Sequence, residues 1–101
     1  MEAGKVYHVF NRGINNQPIF FDDENYIFFL KQFDKYLSTK VDVLAYCLMQ
    51  NHFHLFIRIK KINGLSEMEI SNAVIKSFRD FLISYAKAVN KKYERTGALF
   101  Q

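Results

Sequence analysis

Two hydrophobic periods alternate along this chain, and each change of period marks an element. From Lys5 to Phe10 the period is two: Val6, His8 and Phe10 share one side, and Tyr7 and Val9 share the other. That spacing predicts a strand. Asn11-Arg12-Gly13 and Asn15-Asn16-Gln17-Pro18 then read as a turn-rich loop. Asp22-Asp23-Glu24 is an acidic helix start, and Tyr26, Phe29, Leu30, Phe33 and Leu37 follow at helical spacing to about Thr39. Val41 to Met49 is an almost unbroken β-rich run. His52 to Ile59 alternates Phe53, Leu55, Ile57 and Ile59 against His52, His54, Phe56 and Arg58. Gln50-Asn51 between these two runs is short enough for a hairpin.

Asn63-Gly64 predicts a turn, and Ser66 with Glu69 three residues later is a capping box. The second helix therefore starts there and carries Ile70, Ala73, Val74, Phe78, Phe81, Leu82, Tyr85 and Val89 as its apolar stripe to about Tyr93. Thr96-Gly97 breaks it, and Ala98-Leu99-Phe100 opens a further strand. The predicted order is strand, helix, strand, strand, helix and strand fragment. This implies an α+β two-layer sandwich, an antiparallel sheet with two helices on one face, close to the split βαβ (ferredoxin-like) plan.

Composition narrows the class. The chain has 101 residues, half of them hydrophobic, with eleven Phe and only four Gly and one Pro. One domain over residues 1–101 with a filled core is expected, and a disordered or collagen-like chain is excluded. The single Cys47 allows no internal disulfide, so a reducing, cytoplasmic setting is expected. The start Met1-Glu2-Ala3-Gly4-Lys5 carries no signal-peptide pattern, and no apolar run approaches the roughly 20 residues that span a bilayer. The net charge is +4, and it is uneven. Residues 1–59 balance six basic against six acidic side chains, whereas eight basic residues face four acidic ones from Lys60 onward. Lys76, Arg79, Lys87, Lys91, Lys92 and Arg95 lie on or just after the second helix. They read as phosphate contacts to a polyanion or as a solvated helix face.

The chemical signal is His52-Phe53-His54. On a strand, residues i and i+2 project from one face, so two imidazoles roughly 6–7 Å apart can share one divalent cation while Phe53 packs inward. Paired histidines on strands also serve packing or solubility. Across a two-residue turn Met49 faces His52 and Cys47 faces His54. Cys47 is then either a third, soft ligand or a packed free thiol. His8 either faces the same site, if the first strand neighbours the third, or is a satisfied or DNA-contacting histidine.

Together, Tyr7-His8-Val9-Phe10-Asn11-Arg12-Gly13, Ile19-Phe20 before Asp22-Asp23, and Ala45-Tyr46-Cys47-Leu48-Met49-Gln50-Asn51-His52-Phe53-His54 resemble the single-tyrosine HUH transposases, in particular the REP-associated branch. Lys76-Ser77-Phe78 through Tyr85, Asn90 and Thr96-Gly97-Ala98-Leu99-Phe100-Gln101 are similar to the same branch, so the resemblance covers nearly the whole chain. Gln50 stands where a proline is usual, which should loosen the turn. The resemblance implies that His52 and His54 bind Mg²⁺ or Mn²⁺, and that Arg12 lies near DNA. It implies DNA transposition, in which a tyrosine hydroxyl attacks a scissile phosphate of single-stranded or hairpin DNA to leave a 5′-phosphotyrosine and a free 3′-hydroxyl. Mg²⁺ prefers oxygen, so phosphate and a further side chain would complete its shell. In the family the tyrosine lies on a helix after the strand that Ala98 opens, which places it past Gln101. Of the six tyrosines present, Tyr85 sits on the core stripe and Tyr93 is the remaining candidate. A homodimer is compatible with this reading. The alternative is a non-catalytic, RRM-like nucleic-acid-binding module with Tyr7, Tyr46 and Phe56 as stacking rings.

Overall fold

The computed structural model describes residues 1–101 and has the predicted α+β architecture. Its elements are β1 (Val6–Arg12), a 3₁₀ turn (Ile14–Asn16), α1 (Asp23–Leu37), β2 (Val41–Met49), β3 (His52–Ile59) and α2 (Glu67–Lys92). The three strands form one antiparallel sheet in the order β1-β3-β2, so β3 is central and paired on both edges. Residues directly opposite in such a ladder share a face. Phe53, Leu55, Ile57 and Ile59 are buried and join Phe29, Phe33, Ile70, Val74, Phe81 and Tyr85 of the two helices in one core. Both helices therefore cover one face of the sheet, and the other face is open.

Much of that core is aromatic. Phe29 lies edge-on to Phe81 at 4.9 Å and to Tyr85 at 5.1 Å, and Phe33 lies edge-on to Phe81 at 5.5 Å. These perpendicular contacts tie α1 to α2 by the ring geometry that aromatic quadrupoles favour. Tyr85 is wholly buried, and its hydroxyl donates to the Ile19 carbonyl at 2.6 Å. Burial pushes that hydroxyl well above the ordinary tyrosine range, so it stays neutral.

The helix ends are set by side chains. Ser66 and Glu69 form the expected reciprocal box on α2 at 3.1 Å in each direction. At α1 a second box joins Asp22 and Asn25, each accepting the other's backbone N–H at 3.2 Å. Asn25 is buried and also accepts the Phe21 N–H at 2.6 Å. Tyr93, the residue that ends α2, donates its hydroxyl to the Asp22 carboxylate, which latches the end of one helix to the start of the other.

Four local expectations change. β1 continues through Asn11 and Arg12, because these pair with Phe53 and His52 at the far end of β3. α1 stops at Leu37, two residues before Thr39. Leu44 forms a bulge in β2 between Val43 and Ala45: the two-residue turn pairs Met49 and Cys47 with His52 and His54, and beyond the bulge Val43 and Val41 shift by one to pair with Ile57 and Ile59. The turn at Gln50-Asn51 is clamped despite the missing proline: the Gln50 carbonyl accepts from Ile19 and Phe20 at 2.9 and 3.1 Å, and the Asn51 carbonyl accepts from Gly13 at 2.9 Å. Gly13 is required there, since a Cβ would fall 1.9 Å from the Gln17 carbonyl oxygen. The expected strand opening is present as a bridge between Gly13 and Phe100.

Two outcomes test this framework. Tyr85→Phe removes the only O–H reaching the Ile19 carbonyl and should cost about 1–3 kcal/mol in denaturant unfolding; an unchanged midpoint would mean the bond contributes nothing. Asp22→Asn keeps a capping oxygen and removes the charge. Chiefly through the Tyr93 hydroxyl, with Asn25 N–H and Lys92 adding, the folded state holds the Asp22 carboxyl below its ordinary 3.8. The stabilisation is therefore complete above that value and disappears as pH falls through the lowered folded value. Wild type should melt above Asp22→Asn at neutral pH, and the gap should close in acid. A gap independent of pH would remove the charge from the account.

Candidate metal and nucleic-acid site

The open face is built by the alternate residues of three strands. β3 contributes His52, His54, Phe56 and Arg58. β1 sets Arg12 opposite His52, Phe10 opposite His54 and His8 opposite Phe56. β2 sets Met49 opposite His52 and Cys47 opposite His54. At the hairpin end these residues wall an open cavity of about 660 Å³ lined by Phe10, Asn11, Arg12, Asn16, Asn51, His52, Phe53, His54 and Gln101. Its lining contains one cationic side chain, Arg12, and no Asp or Glu side chain.

The two histidines are oriented differently. His52 Nδ1 lies 2.8 Å from Asn51 Oδ1. An amide oxygen only accepts, so Nδ1 is the donor, and in the neutral ring Nε2 then keeps its lone pair. The clamped turn holds Asn51 in place for this contact. His54 Nδ1 lies 2.7 Å from His8 Nε2, which leaves Nε2 as the free nitrogen of that ring too. The His52 and His54 rings stand 5.2 Å apart and nearly perpendicular.

This donor set fits a divalent cation as an open, partial site. Mg²⁺ and Mn²⁺ both favour oxygen donors, so an imidazole pair alone would hold either weakly. No cluster of three or more His, Cys, Asp or Glu converges here, so other oxygen donors must complete any shell. Cys47 is exposed, not a packed thiol, and pairs with His54 across the hairpin.

The remaining predicted residues separate into two groups. Arg12 lines the cavity, and its Nε donates to Gln101 Oε1 at 3.0 Å. Lys76, Arg79, Lys87, Lys91, Lys92 and Arg95 belong to the helix layer on the other side of the sheet. Three of them are engaged: Lys76 with Asp80 at 2.7 Å, Lys92 with Glu24 at 3.2 Å and Asp22 at 3.5 Å, and Arg95 with Asn90 at 2.5 Å. Arg79, Lys87 and Lys91 are exposed without an ion pair. No tyrosine lines the cavity. Tyr93 is held by Asp22 and Asn25, and Tyr85 by Ile19.

Among the stacking candidates, Phe56 lies on the open face. Tyr7 and Tyr46 instead alternate onto the helix side, opposite Ile57 and Leu55. Sequence reasoning overlooked Phe10 and Arg58 as site residues. Phe10 is 63% exposed beside His54, and the same period-two alternation that placed the histidines would have found both.

Comparison of the chain with protein-family models, with curated proteins and with solved structures returns no match.

Calorimetric titration with Mn²⁺ should give a weak, saturable heat for wild type that disappears in the His52→Ala/His54→Ala double variant. Equal heats from the two proteins would remove the site.

Proposed function

We propose that this chain is a divalent-cation- and single-stranded-DNA-binding domain of the single-tyrosine HUH transposase type, acting in the cytoplasm. The observation that carries the reading is the pair His52 and His54 on an open sheet face, each engaged by a neighbour at Nδ1 and by no protein group at Nε2, in a cleft walled by Arg12. When bound, Mg²⁺ or Mn²⁺ would supply Lewis-acid polarisation of a scissile phosphate. The chain's own residues do the rest of the work at this site. His52 and His54 hold the cation, Asn51 fixes the His52 tautomer, and Arg12 neutralises a neighbouring phosphate. The nucleophilic hydroxyl of the reaction is not assigned to Tyr85 or Tyr93, whose hydroxyls are committed within the helix layer.

A DNA strand bound at the histidines would lie on the open face, where Arg12 and Arg58 are cations, Arg58 standing opposite Asp42, and Phe10 and Phe56 are flat surfaces for bases. Arg79, Lys87 and Lys91 reach the same ligand only where it wraps around the sheet, as a hairpin stem can. The exposed Phe10 and Phe56 also support a second reading, a cation-independent single-strand binder of the RRM-like kind.

Fluorescence anisotropy with labelled hairpin and single-stranded oligonucleotides separates the two. Binding should weaken steeply with salt, as phosphate contacts require, and should strengthen with Mn²⁺ in wild type but not in His52→Ala/His54→Ala. Binding indifferent to Mn²⁺ and to the histidines, yet lost in Phe10→Ala, would favour the second reading. Absence of salt-dependent binding would sink both.

A further inference from the structure

One interaction on the open face lies outside the proposed ligand pair. His8, on the neighbouring strand, reaches diagonally from its partner Phe56 to His54, and its Nε2 lies 2.7 Å from His54 Nδ1. Its ring is fixed on both sides. It stacks on Phe56 at 4.5 Å with 5° between the planes, and it leans on Phe10 at 4.7 Å.

We infer that His8 is a positioning residue for His54: its Nε2 accepts the Nδ1–H of His54, which leaves the His54 Nε2 lone pair free for a cation. The inference rests on the proposed cation site and adds to it the residue that sets one ligand's tautomer. A neutral imidazole has one donor and one acceptor nitrogen, so a bond between two neutral rings runs in one of two directions. If His8 donated instead, the proton of His54 would sit on Nε2 and that ring could not ligate. Acceptance by His8 gives His54 the arrangement that Asn51 gives His52, with both Nδ1 atoms donating outward and both Nε2 atoms free. Partners of this kind orient metal-bound histidines and raise their basicity. The two rings flanking His8 restrict its rotation, so the acceptor stays in place without a carboxylate.

The test uses the full chain, ¹⁵N-labelled and free of metal, at a pH of about 8 where unperturbed imidazoles are neutral. Long-range ¹H–¹⁵N spectra report each ring's tautomer and need no variant. His54 should be the Nδ1–H form, and finding it as Nε2–H would overturn the inference. Mn²⁺ titration then compares His8→Phe, which keeps a flat ring against Phe56 without an acceptor, with His8→Gln, which restores an acceptor oxygen. His8→Phe should lose roughly 10- to 100-fold in Mn²⁺ affinity and shift the His54 tautomer, and His8→Gln should recover most of both. Wild-type affinity and tautomer in His8→Phe, or a His8→Gln no better than His8→Phe, would also overturn it. If wild type itself gives no Mn²⁺ response, the cation site fails, and the metal-free tautomer still decides whether His8 positions His54.

Discussion

Everything at the candidate site depends on β3 being a central strand with two unlike faces. Pairing on both edges satisfies its backbone and fixes its register, so a slip of one residue would exchange the two faces completely. Such a slip would expose Phe53, Leu55, Ile57 and Ile59 and bury His52, His54 and Arg58 among aromatic rings. The four apolar side chains hold the strand against α1 and α2. The same packing fixes the direction in which the histidines point. Core and site are opposite sides of one constraint, and the buried residue between the two histidines, Phe53, is what makes their common orientation stable.

The hairpin turn extends that constraint to the histidine end. Gln50 and Asn51 present carbonyls to Ile19, Phe20 and Gly13, segments that lead into α1 and out of β1. Three parts of the chain thus meet at one turn, and a proline is not needed to stiffen it. Asn51 is consequently held close to His52, and the missing Cβ of Gly13 lets the following turn fold back on itself. A loop residue acquires a defined side-chain role because backbone bonds from distant segments hold it.

Residues that alternate were legible in the sequence, whereas contacts between distant elements were not. β2 and β3 matched their expected bounds because each is flanked by turn residues and each has an uninterrupted pattern. The Ser66–Glu69 box was visible because both partners are local. The Leu44 bulge leaves no signal in a run that is apolar at every position but Asp42 and Tyr46. Asn11 and Arg12 read as a loop by composition, and the pairing surface of β3 overrode that tendency. The contact between His8 and His54 needs the strand order, which one sequence does not state. The basic character of α2 was legible as a count, but the neutralisation of Lys92 was not, because its partners Asp22 and Glu24 lie at the start of α1, about seventy positions away in sequence.

That neutralisation bears on where a polyanion is drawn. Exposed ion pairs are individually weak, yet each cancels the field of its lysine at distances beyond the pair. Lys76 and Lys92 therefore add little to a long-range potential, and the helix layer offers less attraction than its composition implies. The histidine cavity has the opposite side-chain balance, with Arg12 present and no Asp or Glu side chain in its lining. A divalent cation between the two imidazoles would raise the positive charge there with no Asp or Glu side chain in the lining to offset it. Such a site is weak by itself and becomes favourable when an anionic oxygen completes the shell. Cation and phosphate would then bind with positive coupling, each raising the affinity for the other by the same factor.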